Sequence, residues 1–311
     1  MNNPFYYKNV VSIRDFTRDD LEYLFRIADN IDSNSSKMID ALRNKILGLV
    51  FFEPSTRTRL SFEAAMNSLG GKCIGFSESS SSSTEKGENL NDTLVTMSQY
   101  VDALVLRHQR DGVARFASEI CNKPVINAGS GTEEHPTQAM LDLYTIIKER
   151  GTIDNLNIGI FGDLKYGRTV YSLLYGLSNY NPNTVHLISP ELLQLRNDAF
   201  FEMKENMSIE KHSNLSDVIS KLDVIYTTRI QKERFPDLQE YERVKGSYRI
   251  DKSILENAKD DLIILHPMPR SEEIPSSIDA TKYAKYFTQI KYGKIIRSAL
   301  LYLIFTEHPD F

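Results

Sequence analysis

Short apolar runs alternate along this chain with longer segments in which apolar residues recur every three or four positions. The first complete pair is the apolar run at residues 46–52, closed by Pro54, and the helical pattern at residues 56–69, closed by Gly70. Proline cannot donate to a strand ladder and glycine commonly follows a helix, so this stretch predicts a buried strand that leads into a helix. Because the same alternation continues to the C terminus, the pattern predicts an α/β protein with doubly wound parallel sheets.

The remaining strands and helices are predicted from the same two patterns, short apolar runs for strands and apolar residues every three or four positions for helices. The last of them is a strongly apolar helix at residues 295–305, which needs burial against the rest of the chain. Predicted strands lie at residues 73–76, 103–106, 124–127, 157–161, 184–188, 224–227 and 262–265, and predicted helices at residues 17–31, 36–42, 90–100, 113–120, 138–149, 168–177, 190–203 and 215–222.

A chain of 311 residues is long for a single core, and two domains are expected. The pattern divides into two alternations, at residues 1–135 and 150–290, with a ligand cleft predicted between them. The helix at residues 136–149 is apolar over most of its circumference, which is typical of a buried helix between domains. We predict that residues 291–311 also connect the domains and pack back on the N-terminal one.

Composition narrows the function classes. The chain is 41% hydrophobic and 25% charged, as in soluble globular proteins, and its net charge of −5 argues against general nucleic-acid binding. No apolar run approaches the roughly 18 residues of a membrane-spanning helix, and the N terminus has no signal-peptide pattern. We therefore expect a cytoplasmic protein. The two cysteines, Cys73 and Cys121, form no Cys-x-x-Cys pair and predict neither a disulfide framework nor a thiolate zinc site.

Polar residues concentrate where the first strand meets its helix. Ser55, Thr56, Arg57, Thr58 and Arg59 occupy this junction, where a helix start offers unpaired N–H groups and the positive end of its dipole. Two guanidiniums and three hydroxyls exceed what a helix cap requires. The junction therefore predicts a phosphate or carboxylate site in preference to a simple cap.

Further candidate ligands follow other predicted strands. Arg107, Arg168 and Arg229 come after strands, at the sheet edge where open α/β proteins bind ligands. His135 and Gln138 lie at the mouth of the next helix and suit hydrogen bonding to a carbonyl. Arg168 stands where a phosphate loop needs lysine, so nucleotide binding is disfavoured and a bidentate carboxylate contact is favoured.

Two irregular stretches leave alternatives open. The serines at residues 79–83, followed by Lys86, fit either a solvated linker or an active-site lid. The segment HPMPR at residues 266–270 places prolines around Met268, which leaves backbone carbonyls available to a ligand and permits a cis bond before Pro269.

These motifs together resemble those of a known family. STRTR, KGE, RH, HPTQ, GDLKYGRT, TRIQKER and HPMPR occur in the order and spacing of the carbamoyltransferases, from about residue 5 to the C terminus, and GDLKYGRTV with TRIQKER is similar to the aspartate branch. The resemblance implies transfer of the carbamoyl group from carbamoyl phosphate to L-aspartate in pyrimidine biosynthesis, without a cofactor or metal. It makes residues 1–135 the carbamoyl phosphate-binding domain and residues 150–290 the aspartate-binding domain.

The resemblance also implies roles for individual residues. Carbamoyl phosphate would be bound by Ser55, Thr56, Arg57, Thr58, Ser83, Lys86, Arg107, His135, Gln138 and the carbonyls of Met268 and Pro269. Aspartate would be bound by Lys86, Arg168, Arg229 and Gln231. Catalysis would fall to Arg57, Thr58, Lys86, Arg107 and His135. Ser82 is the alternative to Ser83, and Met268 replaces the usual leucine of the family.

The resemblance further implies a homotrimer with active sites shared between subunits, in which Lys86 and a loop serine serve the neighbouring site. A zinc-bearing regulatory chain is left open. Two other functions compete with the aspartate reaction. An ornithine-type carbamoyltransferase is disfavoured by two arginines that would repel a cationic side chain, and a non-catalytic scaffold is disfavoured by the presence of every expected site residue.

Overall fold

The structure, a computed structural model, describes residues 3–77, 88–230, 235, 238–244 and 248–309. The chain divides into two units, the first formed by residues 1–141 and 291–311 and the second by residues 142–290. No helix among the described residues has the length and apolar character needed to span a membrane.

Unit 1 contains a parallel sheet with flanking helices. Its strands are β1 (Ile46–Phe51), β2 (Lys72–Ser77), β3 (Ala103–His108) and β4 (Val125–Ser130), and helices α1 (Arg18–Ser33), α2 (Thr56–Ser68), α3 (Leu90–Tyr100) and α4 (Val113–Ile120) connect or precede them. The strand order is β2-β1-β3-β4, and all pairs are parallel. Strands β1, β3 and β4 are almost wholly buried, which explains their continuous apolar sequences.

Unit 2 repeats this design. After α5 (Pro136–Arg150), it contains strands β5 (Asn157–Phe161), β6 (Thr184–Ile188), β7 (Ile209–His212), β8 (Val224–Thr227) and β9 (Ile263–Leu265) and helices α6 (Arg168–Leu177), α7 (Asn197–Asn206), α8 (Leu238–Val244) and α9 (Lys252–Leu255). The strand order is β7-β6-β5-β8-β9, again entirely parallel. The predicted fold class of two parallel α/β sheets is therefore confirmed.

Two helices run from one unit into the other. The division falls after Leu141 within α5 and after Ile290 within α10 (Tyr286–Phe305). The C-terminal part of α10 belongs to unit 1, where the Asn3 side chain donates a 2.8 Å hydrogen bond to the Leu303 carbonyl. This agrees with the prediction that the C-terminal helix packs back on the N-terminal part of the chain.

Some local predictions were only partly correct. Residues 36–42 and 215–222 contain short 3-10 helices, and the stretch predicted as helical near residues 190–203 contains a 3-10 helix at Glu191–Leu193 before α7 begins at Asn197. Strand β7 was missed because its sequence, IEKH, is mostly charged and only its first residue is fully buried. A short edge strand of this kind lacks the apolar run that reveals a central strand.

Candidate active site

In unit 1, the predicted anion ligands follow adjacent strands. Strands β1 and β3 are neighbours, but β1 continues to β2 on one side and β3 continues to β4 on the other. Such a switch point is where open α/β sheets bind ligands, at the carboxyl ends of the strands. Residues 55–58 follow β1. Arg107, near the end of β3, pairs in register with Phe51 at the end of β1.

The start of α2 differs from an ordinary capped helix. Ser55 occupies the N-cap position with φ −157° and ψ 82°, yet its side chain makes no capping hydrogen bond. Thr56 and Arg57 are exposed, while Thr58 in the same turn is buried. A helix start whose N-cap hydroxyl is not used for capping fits the predicted anion site better than the alternative of a simple serine cap.

Arg107 is held from two sides. Its Nη1 donates to the Ala128 carbonyl at 2.9 Å, and its Nη2 lies 3.2 Å from Oε1 of Glu53 in the loop between β1 and α2. Only 11% of the arginine side chain is exposed. Glu53 could not be identified as a partner from the sequence. This carboxylate fixes the guanidinium at the carboxyl end of β3, beside the loop that leads into the predicted anion site.

The loop from β4 to α5 is organised by Asn127. Its side-chain oxygen accepts hydrogen bonds from Gly129 N at 2.9 Å and Ser130 Oγ at 3.0 Å, and its amide donates to the Val11 carbonyl at 3.0 Å. Asn127 is buried, and an amide with both ends paired in this way constrains the backbone around it.

His135 and Gln138 lie at the far end of this loop. The preceding residue, Glu134, accepts hydrogen bonds from Ser12 Oγ at 2.5 Å and Ile13 N at 2.9 Å, and burial raises its pKa above the usual value. The His135 carbonyl accepts from Gln138 N at 2.9 Å in the first turn of α5. Both side chains are buried, so each is positioned by the fold rather than by solvent.

In unit 2, Arg168 and Arg229 also lie at a switch point. Strands β5 and β8 are neighbours whose connections lead in opposite directions; Arg168 begins the helix after β5, and Arg229 follows β8. Thr228 joins the two segments, because its hydroxyl accepts from Asp163 N at 3.0 Å. Gly162 has φ +116°, and a Cβ there would collide with the Thr228 carbonyl. This close approach keeps the backbones that carry the two arginines in register.

The segment after β9 has the geometry expected from its prolines. The Met268–Pro269 bond is cis, in agreement with the sequence-based expectation, and Met268 has φ +59°. Met268 N donates to Nδ1 of His266 at 2.8 Å, so the histidine contacts the peptide that carries the predicted ligand carbonyls.

A buried network surrounds His266. Its Nε2 lies 2.9 Å from Oε1 of Glu273, and its backbone N donates to Gln289, whose amide donates to Asp142 at 2.6 Å. Because Nδ1 accepts from Met268, the neutral ring carries its proton on Nε2 and donates it to the carboxylate. The sequence singled out the HPMPR segment but not Glu273.

The pKa values of this pair agree with that assignment. Burial lowers the pKa of His266 below 6.5, against the opposing hydrogen bond to Glu273. Burial alone would raise the pKa of Glu273, but hydrogen bonds from His266 and the Ser271 amide hold it below 4.5. As the pH falls, His266 and Glu273 are therefore protonated in the unfolded chain before they are protonated in the folded chain. The pair stabilises the fold at neutral pH and loses that contribution in acid.

Arg270, the last residue of the HPMPR segment, has a structural partner. Its guanidinium pairs with both carboxylate oxygens of Asp279, at 2.6 Å for the Nη2 contact, and lies 5.2 Å from the centre of the Tyr286 ring. Within the described part of unit 2, this arginine serves to hold the segment in place.

We expect Glu273→Ala to lower the free energy of unfolding by about 2–3 kcal/mol, because it leaves the buried His266 Nε2–H without an acceptor. Glu273→Gln keeps an acceptor oxygen and should cost about half as much. Urea denaturation at neutral pH measures both. Glu272→Ala is the matched control, since Glu272 is exposed. Equal stability of the Glu272 and Glu273 alanine variants would contradict the role of the network.

Four predicted positions fall outside the described residues. They are Ser82, Ser83, Lys86 and Gln231. Of the others, unit 1 brings Ser55, Thr56, Arg57, Thr58 and Arg107 to neighbouring strand ends with His135 and Gln138 beyond β4, and unit 2 brings Arg168, Arg229, Met268 and Pro269 to the ends of β5, β8 and β9.

Two parallel-sheet units, each with cationic or hydrogen-bonding residues at its switch point, are typical of ligand-binding α/β proteins. Two domain models match the chain: the carbamoyl-P binding domain of aspartate/ornithine carbamoyltransferase over residues 8–148, and the Asp/Orn binding domain over residues 154–304. The chain belongs to the aspartate/ornithine carbamoyltransferase family, and the resemblance seen in its sequence motifs is confirmed.

Within the family, relatives that match over almost their full length are aspartate carbamoyltransferases. The aspartate carbamoyltransferase catalytic subunit of Nitrosopumilus maritimus is 57% identical over 98% of this chain and 99% of its own, and that of Thermofilum pendens is 52% identical over 97% and 96%. Among solved structures, the aspartate transcarbamoylase of Trypanosoma cruzi in complex with N-(phosphonacetyl)-L-aspartic acid aligns with a TM-score of 0.93 at 37% identity over 98% of both chains. The catalytic subunit from M. jannaschii aligns with a TM-score of 0.87 at 46% identity, over 95% of this chain and 97% of that one.

Proposed function

We propose that this chain transfers the carbamoyl group from carbamoyl phosphate to the α-amino group of L-aspartate, forming N-carbamoyl-L-aspartate and phosphate. The observation that carries the proposal is that arginine side chains, joined by hydroxyl groups in unit 1, follow the strands at the switch point of each sheet. The relatives named above support it, as does a T. cruzi aspartate transcarbamoylase structure in complex with carbamoyl aspartate and phosphate. The reaction agrees with the one predicted from the sequence.

Unit 1 is assigned to carbamoyl phosphate. The start of α2 would hold the phosphate through its N–H groups and through the side chains of Ser55, Thr56, Arg57 and Thr58. Arg107, already oriented by Glu53 and Ala128, would reach both the phosphate and the carbonyl oxygen. His135 would donate to the same carbonyl, while Gln138 would accept from the carbamoyl amino group. The match of residues 8–148 to a carbamoyl-P binding domain supports this assignment.

Unit 2 is assigned to aspartate. Arg168 and Arg229 would each bind one carboxylate, with Gln231 assisting, because a guanidinium donates two parallel hydrogen bonds to a carboxylate. The carbonyls of Met268 and Pro269 would accept hydrogen bonds from the carbamoyl amino group and the incoming amine. A cationic ornithine side chain would meet two like charges here, which favours aspartate over ornithine as the acceptor.

The reaction needs stabilisation of a developing negative charge. The amine attacks the carbamoyl carbon, the carbonyl oxygen becomes an oxyanion, and the bond to the phosphate oxygen then breaks as phosphate leaves. Donors placed at that oxygen lower the barrier by about 3 kcal/mol each in comparable oxyanion sites, and alignment of the two substrates contributes a further large share. We assign the amine proton to an oxygen of the departing phosphate.

The assembly is proposed from the family resemblance. We propose a homotrimer in which Lys86 and Ser83 of one chain complete the site of the next. A zinc-bearing regulatory chain, a cytoplasmic location and a role in pyrimidine biosynthesis stay predictions. A scaffold without activity is disfavoured, because the arginines and His135 that the proposed chemistry needs are all present in the chain.

Mixing two inactive variants tests whether neighbouring chains share active sites. Each site would take Arg107 from one chain and Lys86 from its neighbour, so random trimers of Arg107→Ala and Lys86→Ala chains should recover about a quarter of wild-type activity. Product formation from aspartate is measured after the trimers have been dissociated and reassembled together.

The matched control mixes Arg107→Ala with Arg168→Ala. Both residues serve the same site from the same chain, so no mixed trimer contains an intact site and activity should stay low. Recovery in the control, or none in the first mixture despite chain exchange verified by mass tags, would contradict the shared sites.

A further inference from the structure

Three potential metal ligands lie together on the sheet of unit 2. His186 is on β6, and Glu210 and His212 are on the edge strand β7. His186 pairs in register with Glu210, and Ile188 pairs with His212, so the three side chains project from the same face of two neighbouring strands. The strands that carry the proposed aspartate ligands are β5, β8 and β9, and this group therefore has no part in the reaction proposed above.

The distances within the group suit a metal ion. His186 Nδ1 lies 3.0 Å from His212 Nε2, and each of these nitrogens lies 3.5 Å from Glu210 Oε2. A triangle with sides of 3.0, 3.5 and 3.5 Å has its centre about 1.9 Å from every corner, slightly less than a zinc–nitrogen bond of about 2.0–2.1 Å. An ion just above the plane of the three atoms would therefore reach all three donors at bonding distance.

We propose that His186, Glu210 and His212 bind a divalent transition-metal ion of the zinc type. Two imidazoles and one carboxylate are a common zinc donor set, whereas Mg²⁺ and Ca²⁺ prefer oxygen ligands throughout. Three protein ligands leave a further position for water. Glu210, 55% exposed, places that position toward solvent, while His186 and His212 supply the more buried donors.

The ion would join the edge strand to the sheet. Strand β7 has four residues and pairs only with β6 among the described strands, so few backbone hydrogen bonds hold it. Coordination from both strands would cross-link them in the folded state alone, and binding to the folded state raises stability by mass action. The role assigned to the site is thus structural.

A competing use of the same atoms is a hydrogen bond between the two rings. The rings lie 5.2 Å apart between centroids, and one ring can donate its N–H to the other without any ion. The two uses exclude each other, because a metal ion needs the lone pairs of both facing nitrogens. Measuring metal binding therefore distinguishes coordination by the two rings from a hydrogen bond between them.

Calorimetric titration of the chelator-treated full chain with Zn²⁺ tests the proposal. We expect saturable binding of one ion per chain, and at least about tenfold weaker binding in His212→Gln and in Glu210→Gln. His308→Gln is the matched control, because His308 is exposed in unit 1 and should leave the affinity unchanged. Mg²⁺ in excess should not compete.

Thermal unfolding gives the second readout. Zn²⁺ should raise the unfolding midpoint of the wild-type chain and of His308→Gln, but not that of His212→Gln. Glu210→Gln keeps the test decisive should His212→Gln fold poorly, since Glu210 is the most exposed of the three ligands. Absence of saturable Zn²⁺ binding, or equal affinity in the wild type and both ligand variants, would overturn the site and leave the hydrogen bond between the rings as the function of these atoms.

Discussion

Arg107→Ala is expected to lower kcat by about a thousandfold. The guanidinium is the charged donor proposed to contact both the carbonyl oxygen and the phosphate. Loss of one preorganised oxyanion donor costs about 10²–10³ in kcat, and more for a charged group that contacts both. Glu53 and the Ala128 carbonyl hold the side chain in place before substrate arrives. Arg107→Lys keeps the charge but loses the fork, so it should fall between wild type and alanine.

Steady-state rates with saturating L-aspartate measure this effect. Arg110→Ala is the matched control, because Arg110 is exposed in the loop that follows the same strand. Removing Arg107 also leaves Glu53 and a carbonyl without this donor, which should cost about 1–3 kcal/mol of stability. Circular dichroism must therefore show folded protein at the assay temperature. A folded Arg107→Ala variant with near-wild-type kcat would remove this arginine from the proposed chemistry.

Arg229→Ala is expected to raise the KM for aspartate by about 100-fold with a smaller effect on kcat. A hydrogen-bonded charge pair with a carboxylate is worth about 1.5–3 kcal/mol, and aspartate keeps its carboxylates throughout the reaction. An interaction present equally in the ground state and the transition state changes KM more than kcat. Carbamoyl phosphate, bound in unit 1, should keep its affinity.

Initial rates over a range of aspartate concentrations test this prediction. Arg249→Ala is the matched control, since it removes an exposed arginine from the same unit. An unchanged KM for aspartate, or an equal loss in kcat/KM for carbamoyl phosphate, would contradict the assignment of Arg229 to the acceptor.

The sequence was most informative where one segment determines its own structure. The helix predicted at residues 17–31 is α1, and Thr17 caps it with a hydroxyl that accepts from Asp20 N. The start of α2 at Thr56 was likewise visible in the local residues, and the neighbouring prolines permitted the cis bond found before Pro269. Buried parallel strands place their following residues at one sheet edge, and for this reason the arginines could be grouped before the fold was seen.

Features that depend on pairing between distant segments could not be predicted. Glu53 and Arg107 meet only because β1 and β3 are neighbours in register, although β2 lies between them in sequence. His186 and His212 meet because β6 pairs with β7. Strand β7 could not be predicted from its mostly charged sequence. No zinc motif in the sequence marks this group, because its ligands are histidines and a glutamate from two separate strands.

The proposed reaction is tested by the ratio of kcat/KM for L-aspartate to that for L-ornithine, measured on the purified chain with carbamoyl phosphate. N-carbamoyl-L-aspartate should form with stoichiometric phosphate release, and essentially no product should form from ornithine, because Arg168 and Arg229 would each bind one carboxylate of aspartate and would repel a cationic side chain. Product from ornithine at a comparable rate, or folded protein that forms no product from aspartate, would contradict the proposed reaction.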